Sequence, residues 1–250
     1  TLMRSSAASY VYKRQVVYDA TQTDSSEVKL SYYAKDMEQG FPGNVNCTVT
    51  MRLTDDNAID LKYEAETDKP TIINMTNHSY FNLDGDPAKG NADYLLMVNA
   101  SHFTPVDSTF MTTGEILPVE GTPMDFRQPA VLGERLNEET EQLKNGHGID
   151  HNWVLDTKGN INEVCASLKS EQSGIKLEVY TDEPGIQIYT GNFLDGTQTG
   201  KKNTKYNFRA SVCLETQKYP DTPNKPEWPS CVLRPGEKYT SHTIFKFVVE

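Results

Sequence analysis

Asn44-Val45-Asn46-Cys47-Thr48-Val49-Thr50-Met51-Arg52-Leu53 and, after the turn Asp55-Asp56-Asn57, Ile59-Asp60-Leu61-Lys62-Tyr63-Glu64-Ala65-Glu66 both alternate polar and apolar residues. Side chains on a strand point to opposite faces in turn, so period two marks a half-buried strand, and two such runs across a short polar turn predict a hairpin. Working outward, residues 27–32 alternate in the same way. They are separated from the first run by Gln39-Gly40-Phe41-Pro42-Gly43-Asn44, whose glycines and proline specify a turn. Asp68-Lys69-Pro70 turns the chain into a β-branched strand at Thr71-Ile72-Ile73. Further strands are predicted at 94–100, 116–119, 164–168, 175–181, 186–189, 210–216 and 239–249, punctuated by Gly and Pro. Only 132–143, with Leu132, Leu136 and Leu143 on one face, reads as a short surface helix. Many short strands with one helix predict an all-β antiparallel sandwich or barrel, forming a single domain over 16–250. The Ser/Ala/Arg/Lys-rich residues 1–15 read as an unstructured or foreign leader.

Composition narrows the function. The balance of 35 acidic against 24 basic residues gives a net charge of -11, which repels phosphate backbones and anionic lipid and argues against nucleic acid or membrane as a partner. No apolar run is long enough to span a membrane. Four cysteines, at 47, 165, 213 and 231, have no CxxC spacing and read as reduced or core thiols without a metal site. Thirteen Tyr, nine Phe and two Trp suit aromatic-rich strands and a flat ligand such as a sugar.

The densest polar stretch, Thr76-Asn77-His78-Ser79-Tyr80-Phe81-Asn82-Leu83, follows a strand directly. Groups so packed either bond one another or face a ligand, because a buried unpaired polar group costs about 1–3 kcal/mol. Two other constellations stand at strand ends or turns: Asp150-His151-Asn152 and Leu214-Glu215-Thr216-Gln217. Histidine and carboxylates are the groups whose proton affinities burial can tune for acid–base work. Glu215 follows an apolar run and precedes the proline-rich 220–229, so its carboxylate is placed where core meets cleft; Trp228 is placed either at a pocket rim or in a stiff surface connection. Zinc is set aside, since no two ligands stand at metal-binding spacing and glycines flank His147. GxSxG, Walker and GxGxxG motifs do not occur.

In order and spacing, the polar stretch at 76–83, Gly121-Thr122-Pro123-Met124-Asp125-Phe126-Arg127, Ile149-Asp150-His151-Asn152, Tyr189-Thr190-Gly191-Asn192-Phe193-Leu194 and Cys213-Leu214-Glu215-Thr216-Gln217 resemble the aldose 1-epimerase (galactose mutarotase) family. The resemblance implies a large antiparallel β-sandwich of the galactose mutarotase type that interconverts the α and β anomers of free aldohexoses such as galactose and glucose, without a cofactor. It implies Glu215 as the base, His78 as the acid, and Asp150 and Gln187 as sugar ligands. The family's upstream arginine and His-Gly-Gly histidine have no match in residues 1–30, so the chain reads as the carboxyl-terminal two thirds of a member lacking its first strands. An unpaired sheet edge and reduced solubility are the expected result. A monosaccharide as the partner, a monomer, and a cytoplasmic location complete the expectation. The alternatives are a non-catalytic sugar-binding sandwich, with aromatics such as Trp228 as its contacts, and an epimerase acting on a sugar phosphate.

Overall fold

The computed structural model describes residues 16–86, 88–200 and 203–250. The expected leader at 1–15 lies outside the described residues. The first hairpins form as the alternation predicts: β2 (Glu27–Ala34), β3 (Val45–Leu53) and β4 (Ala58–Thr67) pair in series, with Tyr63 opposite Val49 and Leu61 opposite Met51. A short strand β1 (Asp19–Gln22), which the sequence did not suggest, extends this edge.

The remaining elements are β5 (Thr71–Ile72), β6 (Leu95–Val98), β7 (His102–Thr104), β8 (Leu117–Pro118), β9 (Ala130–Val131), α1 (Leu132–Leu136), α2 (Glu141–Asn145), β10 (Asp150–Val154), β11 (Ala166–Lys169), β12 (Ile175–Thr181), β13 (Gly185–Tyr189), β14 (Cys213–Gln217), β15 (Val232–Leu233) and β16 (Tyr239–Val249). They build a nine-stranded sheet, β1-β2-β3-β4-β16-β12-β11-β6-β9, a five-stranded sheet, β14-β13-β10-β7-β8, and the small pair β15-β5. All pairings between neighbours are antiparallel.

The expected helix over 132–143 is two five-residue helices instead. Asn137 to Thr140 separate them, with Thr140 in extended conformation at the start of α2. Asn and Thr in mid-run bond the local backbone and so favour ends over interiors. Leu132, Leu136 and Leu143 are nonetheless all buried, so the apolar stripe was read correctly although the axis breaks.

The two sheets meet face to face over a core that contains Leu96, Phe126, Trp153, Leu168, Leu177, Ile186 and Phe245. Trp153 is fully buried, and its indole Nε1–H donates to the Met124 carbonyl at 3.0 Å, which satisfies the one polar atom its ring brings inside. Thr216 of the smaller sheet and Thr243 of the larger share a hydrogen bond across the interior, and Thr243 also bonds Thr181 at 3.1 Å. On β2 and β3 the inward-facing Val28, Leu30, Tyr32, Val49 and Met51 are only half-buried. The four cysteines are free thiols, three of them buried.

Candidate active site

Alternation on the five-stranded sheet sorts its side chains. On β14, Leu214 and Thr216 enter the core while Cys213, Glu215 and Gln217 point the other way. On β13, Ile186 and Ile188 are core while Gln187 and Tyr189 face outward. On β10, Trp153 is core while Asp150 and Asn152 face outward. Register then makes neighbours of the polar set: Gln187 stands opposite Glu215 and Asn152, and Tyr189 opposite Cys213 and Asp150. A sheet that is apolar within and polar without thus carries on its outer face a cavity of about 630 Å³. Its lining includes His78, Asp150, Asn152, Gln187, Tyr189 and Glu215. That volume lies within the roughly 300–1,000 Å³ of small-molecule sites.

His78 arrives from a segment without regular structure, fixed to β14 and its flanks at both ends. Asn74 Oδ1 accepts from the Lys218 backbone N–H, and Asn74 Nδ2 donates to the Lys218 carbonyl, both at 3.0 Å. At the other end Phe81 and Val212 exchange backbone hydrogen bonds, both at 2.9 Å. Between these anchors the chain bows outward, and Asn77 Oδ1 accepts from the Ser79 N–H at 3.0 Å, a local turn that shapes the bow. Asn82 Nδ2 donates to the Ala210 carbonyl at 2.7 Å. The dense polar stretch therefore divides its labour: its asparagines bond backbone, and its histidine faces the cavity.

His78 Nε2 lies 3.4 Å from Glu215 Oε1. Tyr80 flanks the imidazole at 5.1 Å between ring centroids, and Tyr189 presents an edge at 6.2 Å. Burial, reinforced by the negative charge of Asp150, pushes the Glu215 carboxyl up to about 8. Burial also raises Asp150 to about 6, against the hydrogen bond that Gln187 Nε2 donates to its Oδ1 at 2.8 Å. The His78 imidazole is lowered from its usual range by burial. Desolvation disfavours charge at every one of these groups, so a carboxylic acid beside a neutral imidazole is favoured, with one proton held between them.

Several buried polar atoms on the cavity wall have no protein partner: Thr104 Oγ1, Asn152 Oδ1 and Nδ2, and Gln187 Oε1. Buried polar atoms left without a partner cost about 1–3 kcal/mol each, so their gathering behind one cavity wall calls for an explanation beyond fold stability.

Of the residues singled out from the sequence, Glu215, His78, Asp150 and Gln187 thus line one cavity. His151 does not join them: it is fully buried on the core side against Phe103, its Nδ1 accepts from the Asp150 N–H at 3.1 Å, and burial lowers it to about 4. Trp228 is not at the rim either. It is buried and meets Tyr219 edge-on at 5.6 Å, while Pro220 alone of the proline-rich segment reaches the cavity wall. Sequence reading missed the aromatic rim: Phe110 stacks on His147 at 5.5 Å, and Phe193 stacks on Tyr189 at 6.2 Å. Phe110 and His147 sit at positive φ in loops, where no periodicity advertises them. Thr104 was missed as well, and Asn152, although part of the Asp150-His151-Asn152 constellation, was given no role of its own.

Comparison with known proteins agrees with the fold. Galactose mutarotases from Rattus norvegicus and Homo sapiens are each 43% identical to this chain, over 91% and 90% of its length. The aldose 1-epimerase of Escherichia coli K12 is 40% identical over 90%. The chain spans 65%, 64% and 64% of those three proteins. Among solved structures, an aldose epimerase homologue from C. elegans superposes with a TM-score of 0.83 at 30% identity, over 93% of this chain and 68% of that one. A galactose 1-epimerase from Lactobacillus acidophilus gives 0.77 at 28%, over 93% and 66%. No helix among the described residues is long and apolar enough to cross a membrane. With residues 12–246 matching the aldose 1-epimerase family model, the chain belongs to the aldose 1-epimerase family.

Proposed function

We propose that the chain carries the acid–base centre of an aldose 1-epimerase, which interconverts the α and β anomers of a free aldohexose such as galactose or glucose. The observation that carries this reading is the 3.4 Å approach of His78 Nε2 to Glu215 Oε1 in a cavity whose wall holds buried polar atoms without protein partners. The Glu215 carboxylate takes the proton of the anomeric hydroxyl, and the freed electron pair becomes the carbonyl bond. The bond from C1 to the ring oxygen breaks, and the His78 imidazolium gives its proton to that oxygen. Rotation about the C1–C2 bond presents the other face of the aldehyde, and closure returns each proton to its donor. Each transfer from a positioned group contributes typically 10²–10⁴-fold.

The electrostatics fit a reaction that ends where it began. Before ring opening the pair is carboxylate and imidazolium; after it, carboxylic acid and neutral imidazole, with the same single proton. Burial favours the second arrangement, which is the partner of the open aldehyde, and one transfer over 3.4 Å restores the first. Asp150, held by the Gln187 amide, supplies an acceptor for sugar hydroxyls. Among the described residues the lining includes two carboxylates and neither lysine nor arginine, which favours an uncharged sugar over a sugar phosphate.

Replacing Glu215 with Gln separates catalysis from simple sugar binding. Loss of galactose anomer exchange, followed by polarimetry, with binding retained is the expected result. Undiminished exchange would end the assignment.

A further inference from the structure

The reaction above needs only two of the three metal-competent groups gathered at its centre. Cys213 lies two residues before Glu215 on β14, so the alternation that turns the carboxylate outward turns the thiol outward with it. The ligand atoms of His78, Cys213 and Glu215 all lie within 4.8 Å of one another. A tetrahedral zinc site with bonds of about 2.0–2.3 Å requires neighbouring donors roughly 3.4–3.7 Å apart. The His78–Glu215 separation of 3.4 Å already meets that, and the thiol, within 4.8 Å of both, needs to approach by at most about 1.4 Å. The Glu215 carboxylate is nine-tenths buried and accepts no hydrogen bond from the described residues. Asp150 adds negative charge close by. The imidazole, half exposed, stands on the cavity side, so the site opens to solvent through the same mouth a sugar would use.

We propose that His78, Cys213 and Glu215 form a binding site for a soft divalent cation, with Zn²⁺ as its type, and that occupancy silences the acid–base pair. As the metal bonds form, the thiol proton and the proton shared by Glu215 and His78 leave to solvent, and zinc sheds one water for each protein ligand; nothing is oxidised or reduced. Metal on His78 Nε2 removes the lone pair that must accept and return a proton, and metal on the carboxylate removes the base. Spacing in the sequence directed attention away from metal because the three ligands come from two distant segments, brought together by the Asn74–Lys218 hydrogen bonds and the pairing of Phe81 with Val212. Metal binding stands on the geometry alone, whereas its inhibitory effect rests on the mutarotase reading.

The test uses the full chain and Co²⁺ as a spectroscopic substitute for Zn²⁺. A sulfur-to-cobalt charge-transfer band is expected in the near ultraviolet, reversed by added Zn²⁺, absent in Cys213→Ser and retained in Cys47→Ser and Cys231→Ser. No band with excess Co²⁺, or a band that survives in Cys213→Ser, overturns the site. In the activity arm, Zn²⁺ slows galactose anomer exchange. Cys213→Ala keeps the metal-free rate but raises the half-inhibiting concentration by more than ~10-fold, the least that losing a direct ligand should cost. Equal zinc sensitivity in Cys213→Ala overturns the inhibitory mechanism. A chain without exchange activity in the absence of metal counts against the mutarotase reading and leaves the cobalt spectrum to decide the site.

Discussion

Replacing Glu215 with glutamine keeps the size of the side chain and removes its ability to ionise, which exposes what the acid–base centre costs the fold. Burial, with Asp150 nearby, moves this carboxyl from 4.5 to about 8. Between those values the folded protein retains a proton that the unfolded chain releases, so stability falls as pH rises through that window. Each tenfold difference in proton affinity is worth about 1.4 kcal/mol, so the ionised carboxylate destabilises the fold by up to about 5 kcal/mol at pH 8, and by nothing below pH ~4. Relaxation and water entry through the cavity mouth reduce this, and a difference of roughly 2–5 kcal/mol is expected. Glutamine carries no such penalty. Denaturant unfolding of both proteins from pH 4 to 8 should therefore show curves that coincide in acid and separate as pH rises, with Glu215→Gln the more stable. Polarimetry on the same samples should show anomer exchange reduced by about 10²–10⁴-fold. A glutamine variant less stable at pH 8, or a difference that does not vary with pH, would refute the claim that Glu215 is held against a desolvation penalty.

Asp150→Asn removes the neighbouring charge that helps raise Glu215, so the alkaline limb of the activity profile, where the pair loses its last proton, should move to lower pH; a pH–rate series reads the midpoint directly. Asn74→Ala deletes both hydrogen bonds to Lys218. A stability loss of about 1–3 kcal/mol is expected, together with a kcat lowered by ~10-fold at little-changed KM, because the acid drifts from the base while the sugar-binding wall is untouched. Trp153→Ala empties a fully buried site and strands the Met124 carbonyl, for an expected loss of about 3–5 kcal/mol in denaturant unfolding with no direct effect on the cavity wall.

The hairpins at β2–β4 and the long β16 were legible because one face of each is apolar and the other wetted, so hydropathy alone prints the pleat. The brief strands β1 and β7 were not: with four and three residues, they are too short for a period to emerge. β10 escaped because its outward residues, Asp150 and Asn152, are polar while its inward set contains a histidine, and that reads as a turn. Glu215 and His78 could be proposed from chemistry and family motifs, yet their meeting depends on the Asn74–Lys218 hydrogen bonds and an isolated bridge between Phe81 and Val212, which no local pattern records. For Trp228 the sequence left rim and stiff connection open, because neighbouring prolines announce rigidity but not direction; the ring meets Tyr219 and not the cavity.

The loop that bears His78 is suspended at both ends, through Lys218 and Val212, from β14 and its flanks, and β14 itself carries Glu215. In the proposed reaction donor and acceptor are therefore tied to one strand: hydrogen bonds at either end of the loop, and not the contact between layers, set the separation of His78 from Glu215. A catalyst that must serve both faces of its substrate equally gains from such a mounting, since its reactive pair need not be reassembled between the forward and the reverse half of the cycle.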